Sequence, residues 1–211
     1  MAEEQPPEVK AEARQFMSDL ISGPPPAEEF TGNAGIDMAA WRKTYVTAAD
    51  SSSSATLQVQ VQVQVQVMEK FWSMYDPTST SIWTCTYDYA EDNETLNDTI
   101  DLAAEFIKKC DVDVDVDVDV DVDAMKLKMK MKDHCFGHMH VLDDLSIVGV
   151  WIFNGPDPEH LFGSNEDTSW YTWSQIGPDA NDLVKKAVAN LLAPSNNQLK
   201  GKTIKNTQAF L

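Results

Sequence analysis

The stretch that most constrains what this chain can fold into is Ser146–Gly155, SIVGVWIFNG. Ile147, Val148, Val150, Trp151, Ile152 and Phe153 make an almost unbroken apolar run, which Asn154, Gly155 and Pro156 then stop. β-Branched and aromatic side chains dominate it, and Gly149 would weaken a helix. The run therefore predicts a central strand, buried on both faces and ended by a turn. At 211 residues the chain has length for one domain with a core of its own plus a tail, and too little for two large domains.

Other elements follow from spacing. Residues 1–30 read as a tail with one short helix, Glu8–Ser22, whose Phe16, Met17, Leu20 and Ile21 fall at helical spacing before Gly23-Pro24-Pro25-Pro26 stops it. Ile36–Tyr45 predicts an amphipathic helix of two to three turns, with Asp37 as N-cap and Met38, Trp41 and Tyr45 inward; Ser51–Ser54 then reads as a flexible break. Ser81–Tyr89 predicts a strand with Trp83, Cys85, Tyr87 and Tyr89 on one face. Thr95–Lys109 is a helix with Leu96, Ile100, Leu102, Ala103, Phe106 and Ile107 toward the core and two lysines at its C-terminal end. Residues 154–167 read as a loop and Ser169–Ile176 as a strand. Asn181–Leu192 is a helix with Leu183, Val184, Ala187, Val188 and Leu191 inward, and the closing GKTIKNTQAFL is a short polar, basic tail.

Three dipeptide runs interrupt this plan. Leu57–Val67, LQVQVQVQVQV, has a period of two, which fits a half-buried strand and no helix; without charge or proline it has the composition of an aggregation-prone edge. Asp111–Asp123 alternates Asp with Val, placing carboxylates about 6.6–6.8 Å apart along one strand face. Met125–Lys132, MKLKMKMK, places its lysines on one face. The expectation is that these last two runs pair antiparallel, Asp opposite Lys, each pair contributing about 0.2–1 kcal/mol. Asp123-Ala124-Met125 is a poor hairpin turn for that arrangement.

The formal net charge is −18, with seven of the acids in the Asp–Val run. Nucleic-acid backbones and anionic membranes need clustered Lys and Arg, so neither is an expected partner, whereas a basic partner is favoured. Cys85, Cys110 and Cys135 are an odd number at unrelated spacings, which points to a reducing, cytoplasmic setting. No apolar run reaches the roughly 18 residues of a membrane-spanning helix, and the acidic N-terminus is unlike a signal peptide.

The sharpest chemical candidate is DHCFGHMH, residues 133–140. His134, Cys135, His138 and His140 are transition-metal ligand types, and His134, His138 and His140 would share a strand face. No second cluster closes a four-ligand set, so they are weak candidates for a metal-dependent enzyme, and no metal or other cofactor is expected. A rigid Asp-bearing strand cannot wrap a calcium ion. G-x-S-x-G, G-x-x-x-x-G-K-[ST] and G-x-G-x-x-G are all missing, and Gly201-Lys202-Thr203 has neither the upstream glycine nor a preceding strand. No catalytic residue is named, and the chain is not expected to be an enzyme.

Several aromatic segments resemble a known family in order and spacing. Phe71-Trp72, Tyr75-Asp76 and Trp83 with Tyr87 and Tyr89 come first. Gly149-Val150-Trp151 with Phe153 and Gly155 follows, then Tyr171-Thr172-Trp173. Together with IDMAAWRKTY and a closing Gly201-Lys202 followed by Phe210, they resemble the C-terminal domain of elongation factor 1-gamma. The resemblance covers roughly residues 30–211; the QV and DV runs lie where that family has shorter connections, and its glutathione-transferase-like domain has no counterpart in this chain. It implies an α+β domain at 31–211, with a central antiparallel sheet of about five strands flanked by helices. Insertions near 57–67 and 111–132 would extend the sheet as long dipeptide-repeat strands. The implied role is a non-catalytic structural or interaction domain in translation, with other elongation factor 1 subunits as partners. An accessory subunit of another assembly is the alternative. Trp83, Trp170 and Trp173 are the candidate contact residues.

Overall fold

A computed structural model describes residues 35–52, 57–118, 125–177, 179–194 and 197–211. The helical pattern at Glu8–Ser22 and the polar residues Ser53–Ser54 lie outside the described residues. The described chain runs α1 (Met38–Ser52), α2 (Leu57–Met74), β1 (Thr80–Tyr87), α3 (Leu96–Lys109), β2 (Asp113–Val118), β3 (Met125–Lys130), α4 (Met131–His134), β4 (Cys135–Leu142), β5 (Ile147–Asn154), α5 (Glu159–Ser164), β6 (Tyr171–Ile176), α6 (Asp182–Leu192), β7 (Gln198–Leu199) and β8 (Lys202–Phe210). The class is α+β, as expected.

Six strands form one antiparallel sheet in the order β6-β1-β5-β4-β8-β7. The SIVGVWIFNG stretch supplies β5, an interior strand whose residues are buried from Ile147 to Phe153. Alternate side chains of β5 serve two different cores. Val148, Val150 and Ile152 meet Trp41, Phe71, Val188 and Leu192 of α1, α2 and α6 on one face. Ile147, Trp151 and Phe153 meet Ala103, Phe106 and Leu161 of α3 and α5 on the other. The domain thus has three layers, helices on both faces of the sheet, as a strand apolar on both sides requires.

Two close approaches at the middle of the sheet need glycine. A β-carbon on Gly137 of β4 would overlap the Trp151 indole, and one on Gly149 would overlap Cys85 Sγ. Trp151 therefore lies flat over the β4 backbone and reaches Phe106, Phe210 and Trp173 with ring centroids 5.9, 5.9 and 6.2 Å away. On the opposite face Trp41 is fully buried against Phe71 and Phe136, at 5.2 and 5.7 Å.

Helix termini follow local chemistry. Asp37, the expected N-cap, accepts a hydrogen bond from the Ala40 amide, and Thr95 and Asn181 cap the helices that follow them by accepting from the Asp98 and Val184 amides. α1 is longer than expected, running to Ser52. Within α6, Leu183 is exposed rather than inward, because it sits off the Val184-Ala187-Val188-Leu191 stripe.

Four expectations are corrected. The QV run is not a strand: it is the first part of α2, and Val63 and Val67 continue the stripe of Phe71 at four-residue steps. Glutamine is a good helix former and valine costs less than about 0.7 kcal/mol per residue, so docking of the Phe71 end decides the conformation. The KM run leaves the extended state at Met131, where α4 turns the chain into β4. The closing segment is no tail; β8 is a nine-residue strand paired with β4. Register slips between Val141 and Leu142, so Ile204 joins the α1/α2/α6 core while Phe210 joins the α3 core. Lastly, the DV and KM runs do not extend the central sheet. They make a separate two-stranded ribbon, with Asp113, Asp115 and Asp117 opposite Lys130, Lys128 and Lys126.

Candidate interaction surfaces

The three candidate histidines do not share a face. His134 ends α4 rather than lying on a strand, and its ring meets His160 of α5 at 5.0 Å. His138 and His140 lie on β4, two residues apart, toward the α1/α2/α6 layer. His140 is held at both nitrogens, Nε2 by the Leu191 carbonyl at 2.7 Å and Nδ1 by Thr207 Oγ1 at 2.9 Å. The carbonyl can only accept, so Nε2 carries the proton and the neutral ring accepts from Thr207. His138 is fully buried under Tyr45, with ring centroids 4.6 Å apart, while the Tyr45 hydroxyl donates to the Leu192 carbonyl at 3.2 Å.

Electrostatics keep these rings neutral. Burial, with His140 beside it, takes His138 down to about 3; burial, with His160 beside it, takes His134 down to about 4. Cys135 lies on the other face of β4, and its backbone carbonyl accepts from Arg42 Nη2 at 2.6 Å. All three cysteines are free and buried. Burial raises the Cys110 thiol to about 12 and moves Cys85 and Cys135 up as well, so none is a ready thiolate. Among the described residues no group of three or more His, Cys, Asp or Glu is placed to hold a metal ion.

Among the described residues, two surfaces combine exposed or half-buried aromatic side chains with neighbouring lysines. The first borders β6. Trp170, at the end of the 3-10 turn Glu166–Trp170, is 41% exposed and lies 5.9 Å from the Lys109 ammonium, which is itself paired with Asp167 at 2.6 Å. Trp173 is half-buried; its indole N–H donates to the Thr168 carbonyl at 3.0 Å and its ring meets Phe162 at 5.3 Å. Phe162 of α5 is also 41% exposed. Trp83 is half-buried on β1, opposite Gln175. Sequence reading named the tryptophans but missed Phe162, because a six-residue helix inside a Gly, Pro and acid-rich stretch gives no periodic signal.

The second surface is a groove of about 650 Å³ between α2 and α6, lined by Val65, Met68, Trp72, Ala189 and Ala193 with Lys185 and Lys186 at its rim. Lys185 Nζ stands 5.9 Å from the Trp72 ring. Reading Leu57–Val67 as a strand hid this groove, since it exists only when α2 is a helix. No helix among the described residues is long and apolar enough to cross a membrane.

Comparison with known proteins agrees with the aromatic pattern. A family model described as "Elongation factor 1 gamma, conserved domain" matches residues 25–115, which hold α1, α2, β1 and α3. Relatives include "Elongation factor 1-gamma 3" of Oryza sativa subsp. japonica, 24% identical over 144 residues, 66% of this chain and 30% of the relative. "Probable elongation factor 1-gamma 2" of Arabidopsis thaliana is 22% identical over the same shares, and "Elongation factor 1-gamma" of Prunus avium is 23% identical over 29% of its length. The chain spans about 30% of the length of the curated relatives it matches. Over residues 25–115, then, the chain is similar to the elongation factor 1-gamma conserved domain.

Proposed function

We propose that this chain is a non-catalytic interaction domain of an elongation factor 1-gamma type subunit, acting in the cytoplasm during protein synthesis. The family match across α1 to α3 is the observation that carries the reading. The internal chemistry supports it: histidines, tyrosines and thiols in the core are neutral and committed to packing or backbone hydrogen bonds. The exposed pair Trp170 and Phe162, backed by half-buried Trp173 and Trp83, is the contact face for another elongation factor 1 subunit. Aromatic residues of this kind anchor interfaces.

Affinity capture with the tagged chain from translating cytosol tests this. Recovery of elongation factor 1 subunits is expected, and Trp170→Ala with Phe162→Ala should weaken it at least tenfold while leaving the fold intact. A stable complex lacking every elongation factor subunit would instead make the chain an accessory subunit of another assembly.

A further inference from the structure

The two sides of β6 are not equivalent. The Asp88 amide donates to the Trp170 carbonyl at 3.0 Å, in the register that goes on to set Thr86 opposite Thr172, Thr84 opposite Ser174 and Ile82 opposite Ile176. Bonded and non-bonded pairs alternate along an antiparallel ladder, so Thr172, Ser174 and Ile176 direct their backbone groups at β1, while those of Tyr171, Trp173 and Gln175 point away from the sheet. The Tyr171 amide is met by the Thr168 carbonyl, and among the described residues no strand lies beyond Trp173 and Gln175.

Open edges are normally blunted by charge, proline or a bulge. Toward the other end of the sheet, β8 carries Lys202 and Lys205, a register slip and the short cover of β7, and the ribbon strands bear a charge at every second residue. β6 reads YTWSQI, with no charge, no proline and an unbroken register. Among the described strands it is the unguarded edge.

Building on the contact face read at Trp170 and Phe162, we propose that β6 receives an extended segment of a partner protein as a further strand, one whose residues alternate apolar with Lys or Arg. The alternation follows from the two faces of β6. Trp173, with Phe162 against it, flanks one face and suits apolar side chains; Ser174 and Thr172, whose hydroxyl donates to Asp88, flank the other and suit cations. The wider charge agrees. Residues 71–107 and 133–184, which include β1, β4, β5, α5 and β6, contain no Lys or Arg. Exposed acids stand at Asp88, at Glu166 in the turn that leads into β6 and at Asp179 just after it. Lys109, contributed by α3, is already paired with Asp167. Such a field draws a basic strand and opposes a second copy of a chain of net charge −18.

Amide hydrogen exchange of the full chain, with short synthetic peptides as probes, tests this. Without peptide, the Thr172, Ser174 and Ile176 amides are expected to exchange slowly and those of Trp173 and Gln175 quickly. A peptide alternating Val with Lys should slow Trp173 and Gln175 about tenfold or more and lose that effect in about 1 M salt, whereas one alternating Val with Glu should not slow them. Gln175→Pro removes only an outward N–H, which an edge strand tolerates, and should weaken the peptide about tenfold while the β1 ladder stays slow. Should that variant fail to fold, the two peptides on the unsubstituted chain still decide. Equal protection by both peptides, protection confined to Asp113–Val118, or none at all would overturn the proposal. So would slowing of Trp173 and Gln175 that appears without peptide as chain concentration rises, which would assign the edge to a second copy. Capture of elongation factor 1 subunits that is lost with Trp170→Ala and Phe162→Ala but untouched by Gln175→Pro would keep the contact face and remove the added strand. Lysine-peptide protection with no such subunit captured would uphold the added strand and remove that family of partners.

Discussion

Leu57–Val67 and Asp113–Val118 repeat valine at every second position, yet the first is helix and the second is strand. The difference lies in what stands beside each run. Glutamine tolerates a helix, and the QV run leads directly into MEKFWSM, whose Met68, Phe71 and Trp72 dock on the sheet as a helical stripe. Aspartate is a poorer helix former, and the DV run has a partner of equal period and opposite charge in Met125–Lys130. An alternating pattern states that a strand is possible; a complementary neighbour makes it one. In α2 the alternation is partly wasted, since Val67 is buried and Val65 is 51% exposed.

Substitutions should separate the two runs in a graded way. Phe71→Ala should have the largest effect: the ring is fully buried against Trp41, and a loss of about 3–5 kcal/mol in denaturant unfolding is expected. Val65→Pro, inside α2, should cost about 3 kcal/mol, whereas Val116→Pro in the ribbon should cost no more than about 1 kcal/mol, because the ribbon is a sheet of its own. Equal costs at the two positions would mean the ribbon is integral to the core.

Acid should strike the helical side. Folded His138 resists protonation until about pH 3, whereas the unfolded ring takes up a proton near 6.5, so between these values the unfolded state binds more protons. Its stabilisation is complete above about pH 6.5 and is lost as pH falls toward 3, at about 1.4 kcal/mol per pH unit. His138→Phe should make that dependence shallower in unfolding measured from pH 7 to pH 4, with buried His134 and His140 supplying the part that remains. Smaller still, Asp113→Lys would set like charges opposite Lys130 and should cost about 0.2–1 kcal/mol, vanishing in about 1 M salt. Val65→Ala should change stability by less than about 0.5 kcal/mol, and a larger loss would mean that the exposed valine is covered in solution.

Much of the fold was legible because it rests on short-range chemistry. The caps at Asp37, Thr95 and Asn181, the stripe of α3 and the two-sided apolar run of β5 each declare themselves within about fifteen residues. β8 did not, since a bulge moves Ile204 and Phe210 to opposite faces and erases the expected alternation. The candidate surfaces divide likewise. Trp170 and Trp173 were readable as aromatic residues outside the central strand, while Phe162 and the α2/α6 groove needed the packed helices.

Composition and local pattern were sufficient for the α+β class, the buried central strand, the helix starts and the family to which the aromatic segments point. Packing chose the state of each dipeptide run, drew the closing segment into the sheet and separated His134 from His138 and His140. The physical reason is that capping and amphipathic stripes act between neighbours in sequence, whereas strand pairing and burial depend on surfaces brought together from distant parts of the chain. A period of two carries no information about which surface will arrive.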